Sequence, residues 1–158
     1  MKKTLIIVLP IVSFCSCKKD SKINDTVNPT ASFTCKINGS SWSAISRVTR
    51  KQGNTFIITG TGSLRNDVLN ITTFGTQVNS YTLSTIDGKT EFTATFTSDT
   101  QNNDSLYQAT SGIVQLTKVD TVNKKISGTF QFRTSKIINP LLIKEITNGS
   151  FTNLTYTE

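Results

Sequence analysis

The sequence predicts an all-β fold, a single antiparallel β-barrel or β-sandwich meander, on three observations. From residue 31 onward, short segments rich in Phe, Ile, Val and Thr alternate with Gly, Asn and Asp turns at a spacing of roughly 8 to 12 residues. No stretch carries the apolar periodicity of an amphipathic helix. The dipeptides Asn38-Gly39, Asp87-Gly88 and Asn148-Gly149 offer the positive φ angles that tight hairpins require, and hairpins make neighbouring strands antiparallel.

Taken in chain order, strands are expected at 31–37, 42–50, 54–60, 67–74, 79–84, 90–98, 105–119 (with a break near Gly112), 125–134, 141–147 and 150–156. Alternation assigns faces where it is clean. Phe92, Ala94 and Phe96 lie opposite Thr93, Thr95 and Thr97, and Ile126, Gly128, Phe130 and Phe132 lie opposite Ser127, Thr129, Gln131 and Arg133. Val114 and Leu116 make a similar pair. One apolar face per strand suits an antiparallel sheet with one buried side. The Phe stripes read as core. The alternative is a ligand cavity lined by Phe92, Phe96, Phe130, Phe132 and Trp42, as in a calycin-like carrier of a small apolar molecule.

The 158 residues leave room for one domain behind an N-terminal address. Lys2 and Lys3 precede an apolar stretch from Leu5 to Phe14, about half the length of a spanning helix, and Ser16 stands before Cys17. Residues 1–16 therefore read as a secretory signal. The run Phe14-Cys15-Ser16-Cys17 resembles a bacterial lipobox, which implies cleavage before Cys17 and lipidation of its thiol; Phe14 is too bulky for Cys15 to play that part. Residues 17–30 read as the lipidated Cys and a flexible polar linker, with the domain at 31–158. Losing Lys2 and Lys3 lowers the formal charge of +7 by two, leaving a mildly basic chain. Its scattered basic residues form no stripe for nucleic acid.

The words Phe33-Thr34-Cys35-Lys36-Ile37-Asn38-Gly39, Trp42-Ser43-Ala44, Tyr81-Thr82-Leu83, Ile126-Ser127-Gly128-Thr129-Phe130 and Asn148-Gly149-Ser150-Phe151 occur in this order along the whole mature domain. Together with the signal they resemble a family of uncharacterised Bacteroidota lipoproteins. The resemblance implies an outer-membrane address, on the periplasmic or the surface face, and a β fold, with no catalytic residue to carry over. It also implies O-glycosylation at Asp-Ser/Thr-apolar triplets, which places candidate sites at Thr26, Ser105 and Thr121.

Chemistry is sparse. The chain has no His, which removes the commonest general base and His-dependent zinc sites. Cys35 lacks a partner for a disulfide or for thiolate formation and reads as a small buried hydrophobe. The carboxylates sit mainly in turns: Asp87 and Asp120 in hairpins, Asp99 and Asp104 around a polar loop without calcium-loop spacing. No catalytic residue, metal or cofactor is expected. Ile137 to Ile143, interrupted by Asn139 and Pro140, is the longest apolar run of the mature chain and is expected to pack as core, with an exposed patch as the alternative. The expected function is a lipid-anchored, non-enzymatic and monomeric envelope module, with an enzyme of unrecognised mechanism, marked by two carboxylates converging in a cleft, as the remaining alternative. The module would bind the membrane through its lipid and meet an envelope protein, a glycan or a small apolar ligand.

Overall fold

The computed structural model describes residues 30–63 and 66–158. The signal segment, Cys17, the linker and Thr26 lie outside the described residues. Ten strands follow one another: β1 (Ser32–Ile37), β2 (Ser40–Gln52), β3 (Thr55–Gly62), β4 (Val68–Thr73), β5 (Asn79–Ser84), β6 (Lys89–Thr90), β7 (Phe92–Thr97), β8 (Leu106–Asp120), β9 (Lys125–Lys136) and β10 (Asn139–Thr157). A single 3-10 turn, Asn103–Ser105, precedes β8.

The strands form one sheet that curls until its ends meet. Hydrogen bonding runs β1–β2–β3–β4–β7–β8–β9–β10 and returns to β1, while β5 and β6 attach to the flank of β8. Every strand pairing is antiparallel except one short contact, where β10 and β2 run parallel at Tyr156/Thr49 and Thr157/Arg50. That contact lies past the start of β1, which wedges between Ser40–Ser43 of β2 and Ile146–Thr152 of β10.

Local chemistry explains the elements. Asn38 and Gly39, at φ 49° and 83°, form the β1–β2 hairpin, and Gly88 at φ 63° helps close β5–β6. The strand expected at 90–98 divides at Glu91. There the N–H donates to Thr82 of β5, while the carbonyl accepts from Phe74 beyond β4, so the chain changes partners at that residue. The strand expected to break near Gly112 is continuous but bent. β8 pairs with β7 through Leu106 to Gln108 and with β5 through Gly112 to Leu116, across a bulge between Ala109 and Ser111. Gly112 takes φ 147°, and a Cβ there would lie 2.4 Å from the Gln131 carbonyl oxygen, so only glycine serves at this bend.

Asn148-Gly149 is not a hairpin. The strands expected at 141–147 and 150–156 are one strand, β10, and Asn148 at φ 50° sits in a bulge between Ile146 and Gly149. A second irregularity falls between Phe151 and Leu154, where Asn153 has φ 48°. The same αL preference that would close a tight turn here coils a long strand around the ring.

Inward faces fill the ring. Phe33, Phe56, Ile58, Leu69, Ile71, Phe92, Val114, Leu116, Ile126 and Ile146 have no exposed surface. Phe33 stands at the centre of the aromatic packing: its ring lies 5.6 Å from Trp42, 5.5 Å from Phe130 and 6.2 Å from Phe151, all edge to face. Truncating it leaves a cavity that three rings on different strands border. Phe33→Ala is expected to cost about 3 to 5 kcal/mol in urea unfolding, whereas Ile86→Ala, at an exposed hairpin tip, should leave the midpoint unchanged.

Candidate functional site

The five residues proposed as cavity lining all pack into the core: Phe92, Phe130 and Phe132 meet one another, while Phe96 and Trp42 meet other rings. Phe130 stacks on Phe132 at 5.8 Å and on Phe151 at 6.3 Å, Phe92 meets Phe132 at 6.0 Å, and Phe96 meets Tyr107 at 6.3 Å. Trp42, Phe92, Phe96, Phe130 and Phe132 are all buried in one continuous apolar core. A depression of about 490 Å³ lies instead on the outer face of β8, β9 and β10, between Ile113, Gln115, Thr129, Gln131, Asn148 and Ser150. Its floor is Gly149, where a Cβ would come within 2.3 Å of the Phe130 ring.

The sequence reading did not single out Asp67, which is the one buried acidic side chain among the described residues. The indole Nε1 of Trp42 donates to Asp67 Oδ2 at 2.7 Å, and Gly62 N donates to the Asp67 carbonyl at 2.8 Å. Asp67 Oδ1 is buried without a hydrogen-bond partner. Gly62 makes the contact possible, since a Cβ there would lie 2.3 Å from Oδ1 and 2.5 Å from the indole nitrogen. A short carboxylate at the mouth of the β3–β4 loop thus holds the one Trp by its polar edge. Cys35 pairs across the hairpin with Trp42. Burial, reinforced by the negative charge of Asp67, pushes its thiol up to about 12. It is neutral and inert at ordinary pH, a packing residue as expected.

The polar loop before β8 is closed by its own side chains. Asp99 Oδ1 accepts from Gln101 N at 3.0 Å, and Asn102 Oδ1 accepts from Asp104 N at 2.9 Å. Ser105, expected as an accessible glycosylation site, is only 5% exposed. Its hydroxyl donates to the Asp99 carbonyl and accepts from Asp99 N, so it serves as the clasp of the loop. Thr121 is exposed in the β8–β9 turn. Among the described residues no three of Cys, Asp and Glu gather in a metal-binding group.

The apolar run at the β9–β10 tip does not pack as core. Ile137, Ile138, Leu141, Leu142 and Ile143 are all exposed. Lys136 pairs with Asn139 to close the turn, but the next pairing is Ser135 with Ile143, so the residues around Pro140 bulge out of the ladder. Pro140 has no N–H to give to a neighbouring strand, and on the β1 side the hairpin extends past the β1–β2 turn, so no strand covers it there. Chain periodicity marks such residues as apolar; only the length of the neighbouring strands tells that nothing covers them.

The architecture is that of a closed, ring-shaped β domain with buried rings inside and an uncovered apolar hairpin tip. By sequence the chain belongs to a domain of unknown function, DUF6252, whose family model matches residues 29–155. No curated protein and no solved structure matches it.

Two outcomes are expected at the buried polar pair. Asp67→Ala strands the Trp42 indole N–H in the core and should cost about 1 to 3 kcal/mol, read from Trp42 fluorescence during urea unfolding. With Cys15 and Cys17 replaced by Ser, Cys35 should resist a thiol reagent at pH 8 until the protein unfolds. Its ionisation near 8.5 in the unfolded chain against about 12 in the fold favours the native state below about pH 9 and removes that contribution as the pH rises through 12.

Proposed function

We propose that this chain is a lipoprotein of the bacterial cell envelope, of the kind the Bacteroidota carry, anchored to the outer membrane through Cys17 and acting as a non-catalytic binding module. The anchor rests on Ser16-Cys17 at the end of the apolar stretch. The observation that carries the binding reading is the inversion of apolar surface. Rings fill the interior, while five aliphatic side chains at one hairpin tip stand in solvent. Contiguous exposed apolar surface marks a contact region, and a filled core directs recognition to the outside of the ring. The carrier alternative is less favoured because each ring that would hold an apolar ligand is buried against another ring of the core.

Native mass spectrometry of the full protein, purified gently from its own host, tests both parts. The expected species begins at Cys17, carries acyl chains and has no small molecule that leaves on denaturation. A chain without acyl mass overturns the anchor, and a stoichiometric apolar ligand lost on denaturation overturns the filled-core reading in favour of a carrier. Added mass at Thr121, and none at Ser105, is expected if the native protein is glycosylated within the domain.

A further inference from the structure

The β9–β10 hairpin does not stop at the rim of the ring. β1 ends at Ile37, opposite Ile146, and the turn residue Asn38 donates to the Glu145 carbonyl, so the hairpin tip continues beyond its neighbours on that side. No charged residue occurs from 137 to 143, and Lys136 and Lys144 bracket the run. The Lys144 ammonium is turned back over the rings of Tyr107 and Phe96, at 5.0 and 5.8 Å from their centroids, away from the apolar tip. Thr85, from the β5–β6 turn, lines the same depression as Ile137 and Pro140, and Ile86 beside it is almost wholly exposed.

Resting on the reading that the chain is anchored at Cys17, we infer that this tip enters the membrane: its occupant is the lipid bilayer. Three features select lipid over a protein groove. The first is the backbone. A segment entering hydrocarbon must satisfy its own N–H groups, whereas a protein partner can supply acceptors. Of the seven residues from 137 to 143, three meet that demand: Ile137 N donates to the Leu106 carbonyl at 3.1 Å, Leu141 N donates to Asn139 Oδ1 at 3.3 Å, and Pro140 has no N–H. The second is composition. Protein-binding surfaces concentrate their energy in Trp, Tyr and Arg, and residues 137–143 have none: beside Asn139 and Pro140 they carry only branched aliphatic side chains. The third is reach. The described chain enters the ring at Ser32, paired with Thr152, and the tip lies at the other end of β10. The strand from Thr152 back to Leu141 spans about 36 Å, while residues 18–31 stretch to about 45 Å. The tether is therefore long enough for the far end of the domain to lie on the bilayer that holds its lipid.

The test uses the mature protein from its host, reconstituted in phosphatidylethanolamine and phosphatidylglycerol vesicles, with a Trp reporter at one of two sites. Leu141→Trp reports the tip, and Val122→Trp, at a position 88% exposed like Leu141 but in the β8–β9 turn at the opposite end, is the control. Buried Trp42 contributes a constant background, subtracted from the parent spectrum. The expected result is a shift of the Leu141→Trp emission to shorter wavelength and quenching by acyl-chain-brominated lipid, with Val122→Trp unshifted and open to aqueous iodide. Equal iodide quenching at both sites overturns the inference. So does a photocrosslinker at position 141 that captures a protein and no lipid in intact cells, which would make the tip a protein-docking element. If the purified chain carries no acyl group, the anchor reading fails separately, and the same spectra after simple vesicle addition still decide the tip.

Discussion

The architecture depends on filling the inside of a closed sheet, and Phe33 is the residue on which that filling turns. It comes from β1, the short strand that wedges between β2 and β10, and its ring meets Trp42, Phe130 and Phe151. Opposite it, Gly60 withholds a side chain: a Cβ there would lie 2.6 Å from the Phe33 ring. Large rings on some strands fit against glycines on others, as Phe33 does against Gly60 and Phe130 against Gly149. A ring of strands removes most exposed edges, so the sheet is protected from edge pairing by the same closure that encloses the core.

Polar side chains close the structure where strands end and ladder bonds run out. Asp67 pins Trp42 beside the β3–β4 loop, Thr134 donates to the Lys144 carbonyl at 3.0 Å near the rim, and the Tyr81 hydroxyl donates to the Gln77 carbonyl at 2.8 Å under the β4–β5 loop. Each places a donor or acceptor where an inward-facing strand end would leave one unpaired. The surface ion pairs, Lys51 and Lys124 with Glu158 and Arg133 with Glu145, are exposed and add little by comparison. The hydrogen bond from Lys51, with the positive charge of Lys124 beside it, holds the Glu158 carboxyl below its usual range, a local effect at the end of β10.

Function follows from where the apolar surface is left over. An interior satisfied by its own rings has no unmet apolar demand, so the aliphatic tip of β9–β10 stands as the chemically distinctive outward feature. It lies at the end of the ring away from Ser32, and on the proposed anchoring at Cys17 the length of the intervening chain sets whether it reaches the bilayer. The polar loops at the same end, clasped by Ser105 and the Asx bonds of Asp99 and Asn102, hold their shape without an external ligand.

The sequence by itself determined the class of fold, the place of most strands and the inward face of most of them, because a period of two and turn-forming dipeptides are local properties of the chain. Phe92, Phe96, Phe130 and Phe132 were legible as one buried set for that reason. Tertiary structure decided what local rules leave degenerate. Asn148-Gly149 has the chemistry of a tight turn and becomes a bulge because β10 has partners on both sides of it, β9 and β1. Asp67 resembles any strand-flanking carboxylate until the ring brings Trp42 across to it. The run from Ile137 to Ile143 is as apolar as a core strand, and whether it is buried depends on strand lengths elsewhere, which no local pattern encodes. Periodicity reports which side chains belong together on a face; only closure of the sheet decides which faces find a partner.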